Sequence, residues 1–396
     1  MTKCLKFEHV IRMGIPLICI SREAFRQEIR WILVHWGVHV ETVFVVVLVP
    51  ALRLRLRFFR FLERETSWSE SAGAQEVSVP SSMPSENFNG HSMTGELLRV
   101  MVCPPGNAGW NDSRKAAAWR ELGFRHAPDL AAAQTQHAVL CRLLGECGAE
   151  VVCLPPTESL TLDAVYAHDA SLATDYGLVL MNPGKKNRVA EAQAHADFCG
   201  RLGIPVLGEI RAPGVSESGD IVWLDSRTLL VGEGYRTNKT GIEQMRTLLS
   251  SRNIKVLSTP LPYGPGPSAC LHLMSLMSML DEQTILVDLP WLAVETVELL
   301  KGRGFRLIEI EYSERDSLAC NVLSLGGKRL IALEENAMTN QRMRDTGFDV
   351  RTFPGSEICI NGAGGPTCLT RPLLRQTVAS GPLSGGSKPE PLTTSD

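Results

Sequence analysis

The sequence predicts an α/β fold made of five like units that close into a ring, and three observations predict it. Helix-like stretches end at Gly148, Gly203, Asn253, Gly304 and Gly347, each followed at once by a short apolar run rich in β-branched residues. Glycine and asparagine suit the left-handed position that ends a helix, and the run after each suits a strand. Ahead of each helix lies another apolar strand: 99–103, 177–181, 228–232, 284–287 and 329–333. The markers are spaced 55, 50, 51 and 43 residues apart, a loose period of supersecondary units that must stack to bury their faces.

A third short segment follows in each unit, and polar chemistry gathers there. Counted from the markers, Asp169 falls 21 residues on, Asp220 17, His272 19, Asn321 17 and Cys368 21. Each sits among small or apolar neighbours. Polar residues at one recurring position in a ring converge at its axis, where a Cys, a His and carboxylates supply a nucleophile, a general acid/base and cation holders.

Composition bounds the function. The chain has 396 residues, 44% hydrophobic and 21% charged, which is enough apolar content for a sizeable core. A net charge of -3 excludes the basic field a nucleic-acid partner needs. The eleven cysteines are scattered, odd in number and without a CxxC pair, a usage that suits a reducing cytosol and neither a structural zinc site nor a disulfide framework.

The ends read differently from the middle. Residues 1–66 form an N-terminal extension outside the fold, with an apolar stretch, Trp31–Pro50, about as long as a membrane span requires. His35, His39 and Glu41 interrupt it, each costly in a bilayer, and basic residues flank both sides. Membrane association is therefore expected only if that extension belongs to the mature protein; otherwise the location is cytoplasmic. Residues 67–98, rich in Ser, Pro, Glu and Asn, are expected to be a linker, and 379–396 a disordered tail. The catalytic domain is expected at 99–378.

The chemistry centres on Asn361-Gly-Ala-Gly-Gly-Pro-Thr-Cys368. Such a backbone can take positive φ and approach a ligand closely, and a cysteine on that turn presents a strong nucleophile to a cleft. A buried structural cysteine is the plainer reading of Cys368 alone, and a satisfied core histidine that of His272 alone. Asp169 and Asp220 can each stabilise a turn, Arg188 can lie on a solvated helix start, and Arg236 can anchor a helix entry.

HDAS at 168–171, ESGD at 217–220, YRTN at 235–238, LHL at 271–273 and the glycine run into Cys368 occur in one order. Together they resemble the guanidine-modifying superfamily of arginine deiminases, amidinotransferases and dimethylarginine dimethylaminohydrolases, nearest the last in spacing. The resemblance covers about residues 99–375. It implies a five-bladed α/β-propeller (pentein) around a central active site, acting on a small guanidino substrate with no metal or organic cofactor; a homodimer is compatible with it. It implies Cys368 as nucleophile, His272 as acid then base, and Glu217 as the carboxylate that orients it. Asp169 would hold the guanidinium, with Asp163 near the substrate's backbone end and Asp220 lining the site; Arg188 and Arg236 would pair with the substrate carboxylate. The activity implied is hydrolysis of Nω-methylated arginine to citrulline and an amine. Arginine deiminase or amidinotransferase chemistry on the same machinery is the alternative, and a non-catalytic propeller binding a macromolecular partner is another. His168, Ser218 and the lack of an acid just before Cys368 depart from the family pattern and bear on which guanidine is taken.

Overall fold

The computed structural model describes residues 87–376 apart from 268 and 270. The extension at 1–66, the stretch Trp31–Pro50 and the tail at 379–396 lie outside the described residues. All five marker residues take the left-handed conformation, with φ of 91° at Gly148, 77° at Gly203, 56° at Asn253, 82° at Gly304 and 92° at Gly347. Each ends a helical stretch and lets the chain turn straight into a strand, a conformation that glycine and asparagine reach at the least steric cost.

The described residues form fifteen strands, in five sheets of three. The first sheet holds β1 (Leu97–Val102), β2 (Glu150–Cys153) and the last strand, β15 (Thr370–Arg375). The second holds β3 (Ser171–Thr174), β4 (Gly177–Leu180) and β5 (Val206–Glu209); the third β6 (Ile221–Asp225), β7 (Thr228–Glu233) and β8 (Lys255–Pro260). The fourth holds β9 (Met277–Met279), β10 (Thr284–Val287) and β11 (Arg306–Glu309); the fifth β12 (Leu323–Gly326), β13 (Arg329–Leu333) and β14 (Asp349–Phe353). In every sheet the middle strand pairs antiparallel on one side and parallel on the other.

Parallel pairs need a crossover, and here each contains a helix. Two short helices, α1 (Ser113–Ala117) and α2 (Trp119–Leu122), precede α3 (Leu130–Glu146) between β1 and β2. The other crossovers are α4 (Val189–Arg201), α5 (Lys239–Leu249), α6 (Val294–Gly302) and α7 (Ala337–Asp345). Asp129 and Asn238 cap α3 and α5, each accepting a backbone N–H of the first turn.

The apolar core follows the sheets in succession. Leu172 and Val179 of the second sheet share a cluster with Trp223 and Leu229 of the third. Val222 and Leu230 join Met277 and Ile285 of the fourth, and Leu286 joins Leu330 and Val350 of the fifth. A larger cluster carries Ile331 and Phe353 of the fifth sheet together with Val100 of the first and Leu178 of the second. Side chains this buried contribute roughly 1.5–3 kcal/mol each, so the shared clusters are what hold sheet to sheet.

The expected linker ends earlier than residue 98. Asn89 donates through Nδ2 to the Arg375 carbonyl at 2.5 Å and accepts the Arg375 N–H at Oδ1 at 2.8 Å. The Gly90 and His91 N–H groups donate to Asp175 Oδ1, at 3.1 and 3.2 Å, and His91 stacks on Trp223 with ring centroids 4.2 Å apart. A low apolar content hid this, because the segment is held by side chain–backbone hydrogen bonds, the His91–Trp223 stack and a few buried side chains such as Phe88. Among the described residues no helix is long and apolar enough to cross a membrane.

Candidate active site

Every sheet begins with a strand that is entered through a tight turn, and those five turns carry the polar residues of the third segments. Asp169 lies just ahead of β3, Glu217 and Asp220 ahead of β6, His272 ahead of β9, Asn321 ahead of β12 and Cys368 ahead of β15. Asp169, Glu217 and His272 come together, one ligand atom of each within 4.8 Å of the others, and all are buried. Two carboxylates and an imidazole so spaced accept a cation, whether a guanidinium or a metal ion.

Glu217 is the centre of this group. Its Oε2 accepts from His272 Nε2 at 2.8 Å, and its Oε1 accepts from Arg236 Nη1 at 2.9 Å and from the Gly184 N–H at 2.9 Å. An ionised carboxylate only accepts, so the shared proton sits on Nε2, while the His272 side chain also accepts the Ser275 N–H of the turn that leads into β9. Gly219 allows this approach. A Cβ there would stand 2.5 Å from His272 Nδ1 and 2.8 Å from Asp169 Oδ1. The Gly219 N–H instead donates to Asp169 Oδ1 at 3.1 Å.

Cys368 is partly exposed. Its Sγ accepts from Asn321 Nδ2 at 3.1 Å, and Asn321 Oδ1 in turn accepts the Thr367 N–H at 3.0 Å. The Cys368 carbonyl accepts the His168 N–H at 3.0 Å, so the cysteine turn is tied to the residue beside Asp169. The glycines before it serve close approach and not the positive φ expected of them. A Cβ on Gly365 would fall 2.5 Å from Asn321, and one on Gly362 would fall 2.0 Å from the Tyr166 hydroxyl. The residue in this run that takes positive φ is Ala363, at 63°.

Two arginines are placed otherwise than expected. Arg188 is buried, with Nε and Nη2 on Glu191 at 2.7–3.1 Å, Nη1 on Asp169 Oδ2 at 2.6 Å and Nη2 on the Tyr166 carbonyl at 2.9 Å. Arg236, 5% exposed, bridges to Glu217. Both guanidiniums are committed to carboxylates of the protein, since a buried charge is stable only when paired. Asp163 is buried too and accepts from Asn187 Nδ2 at 2.8 Å and Lys185 Nζ at 3.3 Å. Glu191 has no place in the sequence motifs, and Asn321, which touches Cys368, is marked there only by its recurring offset.

The carboxylates divide into two electrostatic classes. Burial opposes the ionisation of Glu217, but the hydrogen bond and charge of His272, with Arg236, outweigh it and hold the group down at about 2. Burial likewise opposes Asp169, yet His272, Arg188 and His168 hold it well below the usual carboxylate range. Asp220 and Glu191 go the other way, burial pushing them up to about 6 and about 7. His168 is driven by burial, then by Arg371, down to about 3 and is neutral; its Nδ1–H donates to the Thr370 carbonyl at 2.9 Å. Such divergence among neighbouring acids marks a site built for charge.

Comparison with known proteins agrees in family and fold. The arginine deiminase family model matches residues 161–296 and 290–375. A dimethylarginine dimethylaminohydrolase of Pseudomonas aeruginosa is 28% identical over 243 residues, 61% of this chain and 89% of that protein. One from Streptomyces coelicolor is 27% identical over 57% of this chain and 80% of its own. The solved Pseudomonas aeruginosa enzyme, a cysteine-to-serine mutant complexed with citrulline, superposes with a TM-score of 0.56 at 25% identity, over 69% of this chain and 98% of that one. The N-terminal domain of ArgZ, a cyanobacterial arginine dihydrolase, superposes with a TM-score of 0.59 at 22% identity, over 71% and 98%.

Proposed function

The chain belongs to the arginine deiminase family, and from that premise we propose that it is a hydrolase of guanidino compounds, taking an Nω-methylated arginine to citrulline and an amine on a five-bladed α/β-propeller. The observation that carries the reading is the buried set of Asp169, Glu217 and His272, whose ligand atoms lie within 4.8 Å of one another. Cys368 enters β15 at the position equivalent to theirs.

A guanidinium is a poor electrophile because its charge is delocalised. It needs a soft anionic nucleophile and fixed carboxylates to align it. In this reading Asp169 holds the substrate nitrogens and the Cys368 thiolate adds to the guanidinium carbon. Collapse of the adduct breaks the C–N bond, and His272 gives its proton to the departing amine, leaving a thiouronium on sulfur. Neutral His272 then takes a proton from water as its oxygen adds to the same carbon. The C–S bond breaks, citrulline leaves and the thiolate returns. Glu217 holds His272 in one tautomer and stabilises its charged form. Arg188 and Arg236 act as positioning residues, keeping Asp169 and Glu217 ionised in a buried place.

The test is product analysis with Nω,Nω-dimethylarginine and with arginine, for the unaltered protein and for Cys368→Ser. Citrulline and dimethylamine from the first substrate, lost in the variant, support the proposal. Ammonia from arginine alone shifts it to deimination, and transfer of an amidino group shifts it to an amidinotransferase. Turnover undiminished in Cys368→Ser removes this site from the chemistry.

A further inference from the structure

On the same five strands that leave the candidate active site lies a second group of buried charge, and it lacks acids. A cavity of about 30 Å³ is bounded by β3, β6, β9, β12 and β15 and by residues 89–93. Arg371 and Arg375 of β15 and Trp223 of β6 line it, 4%, 3% and 2% exposed. No carboxylate is among its lining residues, and neither arginine forms an ion pair with a described residue.

The hydrogen bonds of these three side chains are incomplete in one consistent way. Arg371 Nη2 donates to the His168 carbonyl, while Arg375 Nη1 and Nη2 donate to the carbonyls of Gly95 at 2.6 Å and Ser324 at 2.9 Å. Among the described residues the Nε of each arginine and the indole Nε1 of Trp223 have no partner, and all three are donors. Burial draws Arg375 down to about 10; it draws Arg371 to about 9, with Asp169 opposing that and Arg375 adding to it. A guanidinium does not give up its proton in a protein, and a buried charge without a partner is costly by several kcal/mol. The missing partner is an acceptor carrying negative charge.

We propose that this cavity is an anion site, taking one monovalent ion of the halide class on Arg371 Nε, Arg375 Nε and the Trp223 indole N–H. Its space suits one or two water-sized occupants, roughly 10–15 Å³ apiece. The ion neutralises the two arginines of β15 and completes the packing of residues 89–93 against the strands. Because Arg371 also holds the carbonyl of His168, next to Asp169, occupancy steadies the turn that carries Asp169. The proposal does not depend on the substrate.

Crystals of the full chain grown in bromide test it directly. An anomalous peak in the cavity, within hydrogen-bond reach of the two Nε atoms, is the expected result. In solution, 0.1 M chloride or bromide should raise Tm over gluconate of equal ionic strength by roughly 3–5 °C. Arg375→Met should remove that difference. That side chain also ties down two carbonyls, so a failure of the variant to fold leaves the bromide map to decide. Ordered water alone in the cavity, with no halide-specific rise in Tm, overturns the proposal.

Discussion

Two buried charge groups lie along β3, β6, β9, β12 and β15 or the turns that enter them, and they solve the same physical problem in opposite ways. At the turns entering the strands, Asp169 and Glu217 are each answered by an arginine and a histidine within the protein. Along β15, Arg371 and Arg375 are answered by carbonyl oxygens and form no ion pair with a described residue, Asp169 acting on Arg371 only at a distance. Burial of equal depth thus yields a closed network in one place and an open set of donors in the other. The lesson is that partnership, not burial, distinguishes a preorganised site from an incomplete one.

Breaking the closed network at its chemical end has the largest expected effect. Cys368→Ser should lower kcat for a guanidino substrate by roughly 10³-fold or more while Tm stays near that of the parent. Steady-state citrulline formation with a melting curve checks both halves. Next in size, His272→Ala and Glu217→Gln should each reduce kcat by roughly 10²–10⁴-fold. Their double variant should lose little beyond the worse single, because the two act as one unit; independent, multiplicative losses would separate them.

The open group can be disturbed through its cover. A chain beginning at Met93 lacks Asn89, Gly90 and His91 and their bonds to Leu373, Arg375 and Asp175. Stability should fall by roughly 5 kcal/mol, at about 1 kcal/mol for each hydrogen bond lost. A melting temperature equal to that of the full chain would show that residues 89–92 do not cover the strands in solution.

The smallest expected effect sharpens the comparison inside the closed network itself. Asp220 has a folded pKa of about 6 against an ordinary 3.8, so the folded protein holds its proton more tightly than the unfolded chain does. The resulting penalty is absent below the unfolded value, grows as pH rises from 3.8 to about 6, and is complete above that. Asn at this position keeps a carbonyl oxygen for the Leu273 N–H, which Asp220 Oδ1 now accepts at 3.0 Å. Asp220→Asn should therefore stabilise the protein by roughly 1–3 kcal/mol near pH 8 and by almost nothing near pH 4. An equal change at both pH values would mean that the effect is not one of charge.

Much of this was legible in the sequence, and the reasons are local. A left-handed residue that ends a helix leaves a signature that survives without tertiary information, and all five markers take positive φ. The recurring offset of the third segments followed from the same repetition. It carried Asp169, Asp220, His272, Asn321 and Cys368 to equivalent places at strand entries. What failed was partnership. Arg188 and Arg236 read as cations for the substrate because nothing local tells that Asp169 and Glu217 will meet them.

The amino-acid sequence by itself determined the repeat, its strands and helix ends, and which residues stand at the five strand entries, since these depend on backbone preference and apolar patterning over a few residues. Only the tertiary structure decided which charges are paired, that the glycines near Cys368 make room for Asn321 and Tyr166, and that Arg371, Arg375 and Trp223 border one acid-free cavity. Those outcomes depend on groups distant in the chain entering the same low-dielectric space, where the energy of a charge is set by its neighbours and not by its own type.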